Sequence, residues 1–327
     1  MSAIPSEAPS RPRGVATATP RGARRFADPL FHLTVRLAAA SVAVLVVAIF
    51  IVLVLDARLS IRTFGLKFLW SDVWLPTNHQ FGALSSIYGT LVSTAIAMAI
   101  ATPLALVIAL LLVELLHPAV SRVVGTAIEL LAAVPSIIYG MWGLFVLAPF
   151  MGRHVEPWLS AHLGFIPVFS GPPLGIGMLT AGLILALMIL PFITAVARDV
   201  LRMVPQVTKE AGYGMGSTTW EVTRKVSLRY GLQGIIGALF LGLGRALGET
   251  MAVAFVAGQL MQVKVGWFWN MNTITSTLAN SFTEASDKLF LSVLIELGLI
   301  LFAITVTIQL IAQVWLRRVG RSLGSER

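Results

Sequence analysis

An arginine and a glutamate, Arg245 and Glu249, stand inside an otherwise apolar run from Gly234 to Gly258. A charge at the centre of a membrane helix costs about 2.5–3.5 kcal/mol on insertion scales. The two residues are four apart, so on one continuous helix they share a face and offset each other. Ala238, Gly242, Arg245, Glu249 and Ala252 follow at steps of four and three, which puts all five on that face. Gly244 and Gly248 add small-xxx-small spacing on an adjoining face. Two chemistries suit the pattern. One is close helix packing around a structural ion pair. The other is a path lined by small side chains, with charge where a solute passes. A guanidinium is planar, permanently charged and donates two parallel hydrogen bonds to an oxyanion, so such a path would suit an anion.

The elements that must carry this pair are membrane helices. The chain has 327 residues, 57% hydrophobic and 12% charged, where a soluble domain carries about 25% charged residues. Mean hydropathy is +0.85. The fold class expected is an all-α polytopic membrane protein with six transmembrane helices, over about 37–55, 84–113, 123–149, 174–197, 234–258 and 289–316. The first apolar run is longer than the 7–15 residues of a signal-peptide core, so it reads as an uncleaved helix. Pro103, Pro135 and Pro191 fall inside the second, third and fourth spans and read as kinks, because neighbouring helices re-satisfy the freed carbonyls. Residues 1–32, rich in Pro, Ala, Ser and Arg, read as a disordered cytoplasmic tail. The transmembrane domain is expected over 33–318 and a C-terminal tail over 319–327. With the N-terminus inside, 17 Lys and Arg fall in cytoplasmic segments and 6 in outside segments, which places both termini inside. The net charge of +9 is thereby explained by positive flanks, and nucleic-acid binding is excluded as a function. Outside loops over about 56–83, 150–173 and 259–288 hold Trp70, Trp74, Trp158, Trp267 and Trp269, which read as interfacial anchors or as a docking surface for an external partner.

Several chemistries are absent. There is no cysteine, hence no disulfide or thiol nucleophile. None of the five lysines precedes Ser or Thr, so no phosphate-cradling Gly-x-x-x-x-Gly-Lys-Ser/Thr loop exists and ATP hydrolysis is not expected of this chain. The five histidines form no His-Glu-x-x-His pair. His154 and His162 share an outside loop, but their spacing makes weak metal ligands. No catalytic residue, metal site or cofactor is assigned.

The loop at 198–233 is the longest inside segment after the tail. Pro205 opens a short helix, Gly212, Gly214 and Gly216 end it, and Thr218 with Glu221 has the spacing of a capping box that starts a second helix. Taken alone this is an amphipathic connector. The segment Glu210-Ala211-Gly212, three residues, Gly216 also resembles the EAA loop of ABC-importer permeases. It departs from that pattern at Gly212, at Val226 and at Arg229, where the family has Ala, Ile and Pro. The last departure bears on how the chain turns into the fifth span. The stretches Val134–Phe150, Leu190–Pro205 and Gly242–Phe255 are similar to permeases of phosphate-uptake ABC systems, of the PstC type, and the similarity covers about residues 80–316.

That resemblance implies a type I ABC importer permease architecture. It implies an ATP-driven phosphate importer in a bacterial plasma (inner) membrane, multi-pass with both termini cytoplasmic, and partners comprising membrane lipid, a second related permease, a cytoplasmic ATPase dimer and an external phosphate-binding protein. Glu210, Ala211, Gly212 and Gly216 would couple to the ATPase. Arg245 and Glu249 would lie on the substrate path, Glu249 competing with phosphate for Arg245. Glu129 and Glu296 read as structural acids. The alternatives are a permease for sulfate or molybdate, and an ion-driven secondary carrier. The latter is disfavoured because no internal repeat is present.

Overall fold

A computed structural model describes the backbone of residues 24–324 and the side chains of 29–318. Among the described residues it is helical, with six helices long and apolar enough to cross a membrane. The first is α1 (Arg24–Asp56). It begins inside the stretch expected to be tail; residues 1–23 and 325–327 of the two expected tails lie outside the described residues. The chain divides into residues 1–51 and 52–327. In the first unit every described side chain from Pro29 to Ile51 is exposed. A helix that is apolar all round with no polar face is a membrane span rather than a surface helix.

In the second unit α2 (Arg58–Phe64) and α3 (Lys67–Trp70) precede α4 (Leu84–Leu115). Next come α5 (Pro118–Ala132), α6 (Ser136–Leu163) and α7 (Met178–Arg202). The segment after α7 holds α8 (Gln206–Gly214), followed by α9 (Thr219–Leu247) and α10 (Met251–Val256). The last two are α11 (Ile274–Ser281) and α12 (Lys288–Gly324). Helices α4 and α7 form the most extensive pair. On α4 the alanines at 97, 101, 105 and 109 recur every fourth residue and are all fully buried. In lipid, where helix association gains little from hydrophobicity, small residues let backbones approach and dispersion contacts accumulate. On α7, Ile184, Leu185, Met188, Ile189 and Ile193 fill the other side of that seam. Pro103 and Pro191 lie inside α4 and α7 as expected, and neither interrupts its helix.

Two expected spans differ. The third is not one helix over 123–149. Pro135, with φ −58° and ψ 136°, stands immediately before Ser136 and starts α6, while the preceding turn ends α5 at Ala132. Proline disfavours helical geometry in the residue before it, here Val134. The span is therefore Ser136–Leu163, and half of the outside loop expected at 150–173 is helix. The fifth span is not one helix over 234–258. It runs continuously from Thr219 through Arg229, with no break where the family pattern has Pro, and it stops at Leu247.

In a second core cluster, Trp74 packs edge-on to Phe81, which stacks on Phe290 with centroids 5.1 Å apart. This aromatic cluster seats α3 and the following loop against α12. Trp70 and Trp158 remain exposed.

One glycine sets the distance between α4 and the segment that enters α11. A Cβ at Gly89 would stand 1.9 Å from the carbonyl oxygen of Asn272. Gly89→Ala should lower the thermal stability of the purified protein by about 1–3 kcal/mol, the cost of overpacking. Gly237→Ala, whose Cβ would meet nothing within 4 Å, should keep or raise the stability, by up to about 1 kcal/mol from helix propensity, in the same melting assay.

Candidate functional site

The charged pair sits where the fifth membrane helix breaks. Arg245 is in the last turn of α9. Gly248, Glu249 and Thr250 are not helical, and α10 starts at Met251. Gly248 at φ −90°, ψ 0° ends α9, in keeping with the low helix propensity of glycine. The Glu249 carboxylate then takes the N–H of Ala252 at 3.2 Å and so caps the first turn of α10. Its backbone oxygen accepts the hydroxyl of Thr275 at 2.6 Å.

The expected ion pair is thus replaced. Among the described residues no salt bridge joins Arg245 to Glu249. The break takes the two off a common helical face, and the backbone N–H of Ala252 competes for the carboxylate. Arg245 is exposed, and its guanidinium carbon lies 5.7 Å from the centre of the Phe192 ring on α7. Cation–π contact orients the guanidinium without consuming its hydrogen-bond donors. The stripe of small residues also divides. Ala238, Gly242 and Ala252 are buried, and a Cβ at Gly242 would come within 2.6 Å of Ile193. These residues pack α9 and α10 against α7 and α6. Arg245 is exposed instead, with the exposed Gly248 and the half-buried Glu249 and Thr250 following it.

The segment after α7 forms largely as its motifs require, except that Gly212 and Gly214, expected to end the first helix, lie within α8. Pro205 directly precedes α8. Gly216, at φ +81°, turns the chain after α8 in a conformation that favours glycine. Thr218 and Glu221 make the capping box: Thr218 accepts from the Glu221 N–H, and the Glu221 carboxylate accepts from the Thr218 N–H. Glu210 and Ala211 are exposed, while Gly212 is buried with Val222 3.1 Å from where its Cβ would be. Val207, Tyr213 and Met215 are exposed large apolar side chains on and just after α8.

Sequence reasoning missed what holds α8 in place. Lys209 pairs with Glu114 at the end of α4, with Nζ and Oε1 2.7 Å apart and both side chains buried. The partners are 95 residues apart, and neither lies in a pattern that spacing would reveal. Glu129, expected to be a structural acid, pairs with Arg198, whose guanidinium occupies the space left by the missing side chain of Gly125. Glu296 is buried beside α2.

The family described as "binding-protein-dependent transport system inner membrane component" matches residues 101–323. The chain belongs to this family. Curated relatives include the "phosphate transport system permease protein PstC" of Mesorhizobium japonicum, 48% identical over 92% of this chain and 94% of that one. The protein of the same name from Pasteurella multocida is 46% identical over 90% and 93%. Among solved structures, a bacterial alginate ABC transporter in complex with an alginate-pentasaccharide-bound periplasmic protein superposes with a TM-score of 0.60. That match has 14% identity and covers 90% of this chain and 98% of that one. The MetNI methionine ABC transporter in an inward-facing conformation gives 0.52, at 19% identity over 73% and 94%. At these identities the structures speak for the fold: an ABC-importer permease with six membrane helices.

Removing one member of a buried ion pair strands the other, at a cost of about 3–5 kcal/mol. Glu114→Gln should therefore destabilise the protein by that order in a thermal melt. The exchange Glu114→Lys with Lys209→Glu should recover most of the loss.

Proposed function

We propose that this chain is the transmembrane permease subunit of an ATP-driven phosphate importer, forming one half of the translocation path. The observation that carries the reading is its 44–48% identity, over about nine-tenths of its length, to permeases named for phosphate transport. The site chemistry agrees. An exposed guanidinium at the break that ends the fifth membrane helix, with no carboxylate partner among the described residues, is suited to a doubly charged oxyanion, which it can meet with two parallel hydrogen bonds. Glu249, four residues on, keeps a negative charge close by. Net attraction at that point is then modest, and a conduit needs binding weak enough to release.

In this reading the chain itself hydrolyses nothing. ATP is bound by a separate pair of cytoplasmic subunits that receive α8 through Glu210, Ala211, Gly212 and Gly216, with Val207, Tyr213 and Met215 as the apolar contact. A second, related permease completes the path, and an external phosphate-binding protein delivers to the outside loops. The protein is a multi-pass component of a bacterial inner membrane with both termini cytoplasmic. ATP binding favours one of two permease conformations by differential contact, and hydrolysis returns the other.

Labelled-phosphate uptake in cells that rely on this system tests the reading. Arg245→Gln, inserted and assembled at normal level, should lower uptake by roughly tenfold or more, the loss of one charge-assisted hydrogen-bonding group. Normal uptake by that variant would remove Arg245 from the path. Excess sulfate should not compete; strong competition would make this a permease for another oxyanion. Gly216→Pro, which cannot adopt φ +81°, should abolish both uptake and co-purification of the ATPase while leaving the chain in the membrane.

A further inference from the structure

The break that carries Glu249 is held from another part of the chain. Thr275, 26 residues away in the first turn of α11, donates its hydroxyl to the Glu249 carbonyl at 2.6 Å and is buried. Its oxygen also lies 3.1 Å from the Thr273 hydroxyl, which caps α11. The start of α11 is in turn fixed on α4. The N–H of Ile274 donates to Thr90 Oγ1 at 2.9 Å, Asn272 donates to Ser86 Oγ at 3.0 Å, and Gly89 admits the Asn272 backbone. Thr90 is itself anchored, donating to the Ser86 carbonyl at 2.8 Å. The other end of α4 carries Glu114, bound to Lys209 of α8. One helix therefore touches the cytoplasmic segment at one end and, through α11, the break at the other.

We infer that Thr275 is a positioning residue of the path, pinning the broken segment to α4 so that a shift of α8 reaches Glu249 and Arg245. The inference rests on the reading of Arg245 as a path residue. A backbone carbonyl at a break inside the membrane needs a donor from elsewhere in the protein, and Thr275 supplies it. Valine has nearly the shape of threonine without the donor, whereas serine keeps the donor and loses a methyl. The two substitutions separate the hydrogen bond from the packing.

The test uses the full transporter, with its ATPase and external binding protein, reconstituted in vesicles and supplied with labelled phosphate. Thr275→Val should assemble, hydrolyse ATP and yet lower the maximal uptake rate by roughly tenfold, the scale of one lost buried hydrogen bond. Half-saturation by the loaded binding protein should be unchanged. Thr275→Ser should stay within about twofold of the parent, since it retains the hydroxyl. Normal uptake by Thr275→Val, or equal loss in both variants, would overturn the inference. If the valine chain does not assemble, Thr275→Ala against Thr275→Ser makes the same comparison. Loss of assembly in both Val and Ala, with Ser intact, would make Thr275 a folding residue and also overturn it. Arg245→Gln run in parallel keeps the two readings apart. Its normal uptake would sink the path assignment, whereas its failure beside a normal Thr275→Val would sink only the role of Thr275.

Discussion

Inside a bilayer a backbone carbonyl that leaves its helix must find a donor within the protein. The break at Gly248–Thr250, which directly follows the span Thr219–Leu247, is closed at two points: the Thr275 hydroxyl covers the Glu249 carbonyl, and the Glu249 carboxylate covers the Ala252 N–H. Much of the second unit is arranged around this. For Thr275 to reach the break, α11 must lie against α4, and for that the side chain at 89 must be absent. For α4 to serve as a fixed support it must pack closely on α7, and the alanine stripe from 97 to 109 allows it. The apparent waste of two membrane charges becomes intelligible in this setting. Glu249 is spent on the backbone, and Arg245 keeps its donors for something other than Glu249.

The same economy governs the other end of α4. A buried lysine and a buried glutamate are costly apart and tolerable together. Lys209 and Glu114 join α8 to α4 in a place where a sliding apolar contact would not fix direction. The exposed face of α8, with Val207, Glu210 and Tyr213, is then left outward. Two ends of one helix thus meet α8 and the segment that enters α11. The account of coupling needs no long wire of side chains, only a rigid α4 with a firm joint at each end.

Local signals were legible in the sequence wherever the physics is local. Hydropathy found six spans, because twenty apolar residues have few other uses. The Thr218–Glu221 box, the turn at Gly216 and the helix after Pro205 formed as their spacing indicates. Pro103 and Pro191 did not stop their helices, but Pro135 did, and burial does not separate them: Pro191 is buried, whereas Pro103 and Pro135 are both exposed. The break in the fifth span was not legible. An i, i+4 pair of opposite charge predicts a continuous helix; the observed break at Gly248 is closed by a hydroxyl from a segment read as outside loop. Lys209–Glu114 was hidden for the same reason: the distance that matters is in space, not along the chain.

The central claim is that the segment at 245–250 lines the phosphate path. The chain contains no cysteine, and Gly248 is exposed, with nothing nearer than 3.7 Å to a Cβ placed there. A single Gly248→Cys therefore reports on that point with little disturbance. In the assembled transporter, with the cysteine-free parent chain as blank, the rate of its modification by a small anionic thiol reagent is measured with and without transported phosphate. The account predicts that the thiol reacts and that phosphate slows the reaction. A reaction rate indifferent to phosphate during active transport would contradict it.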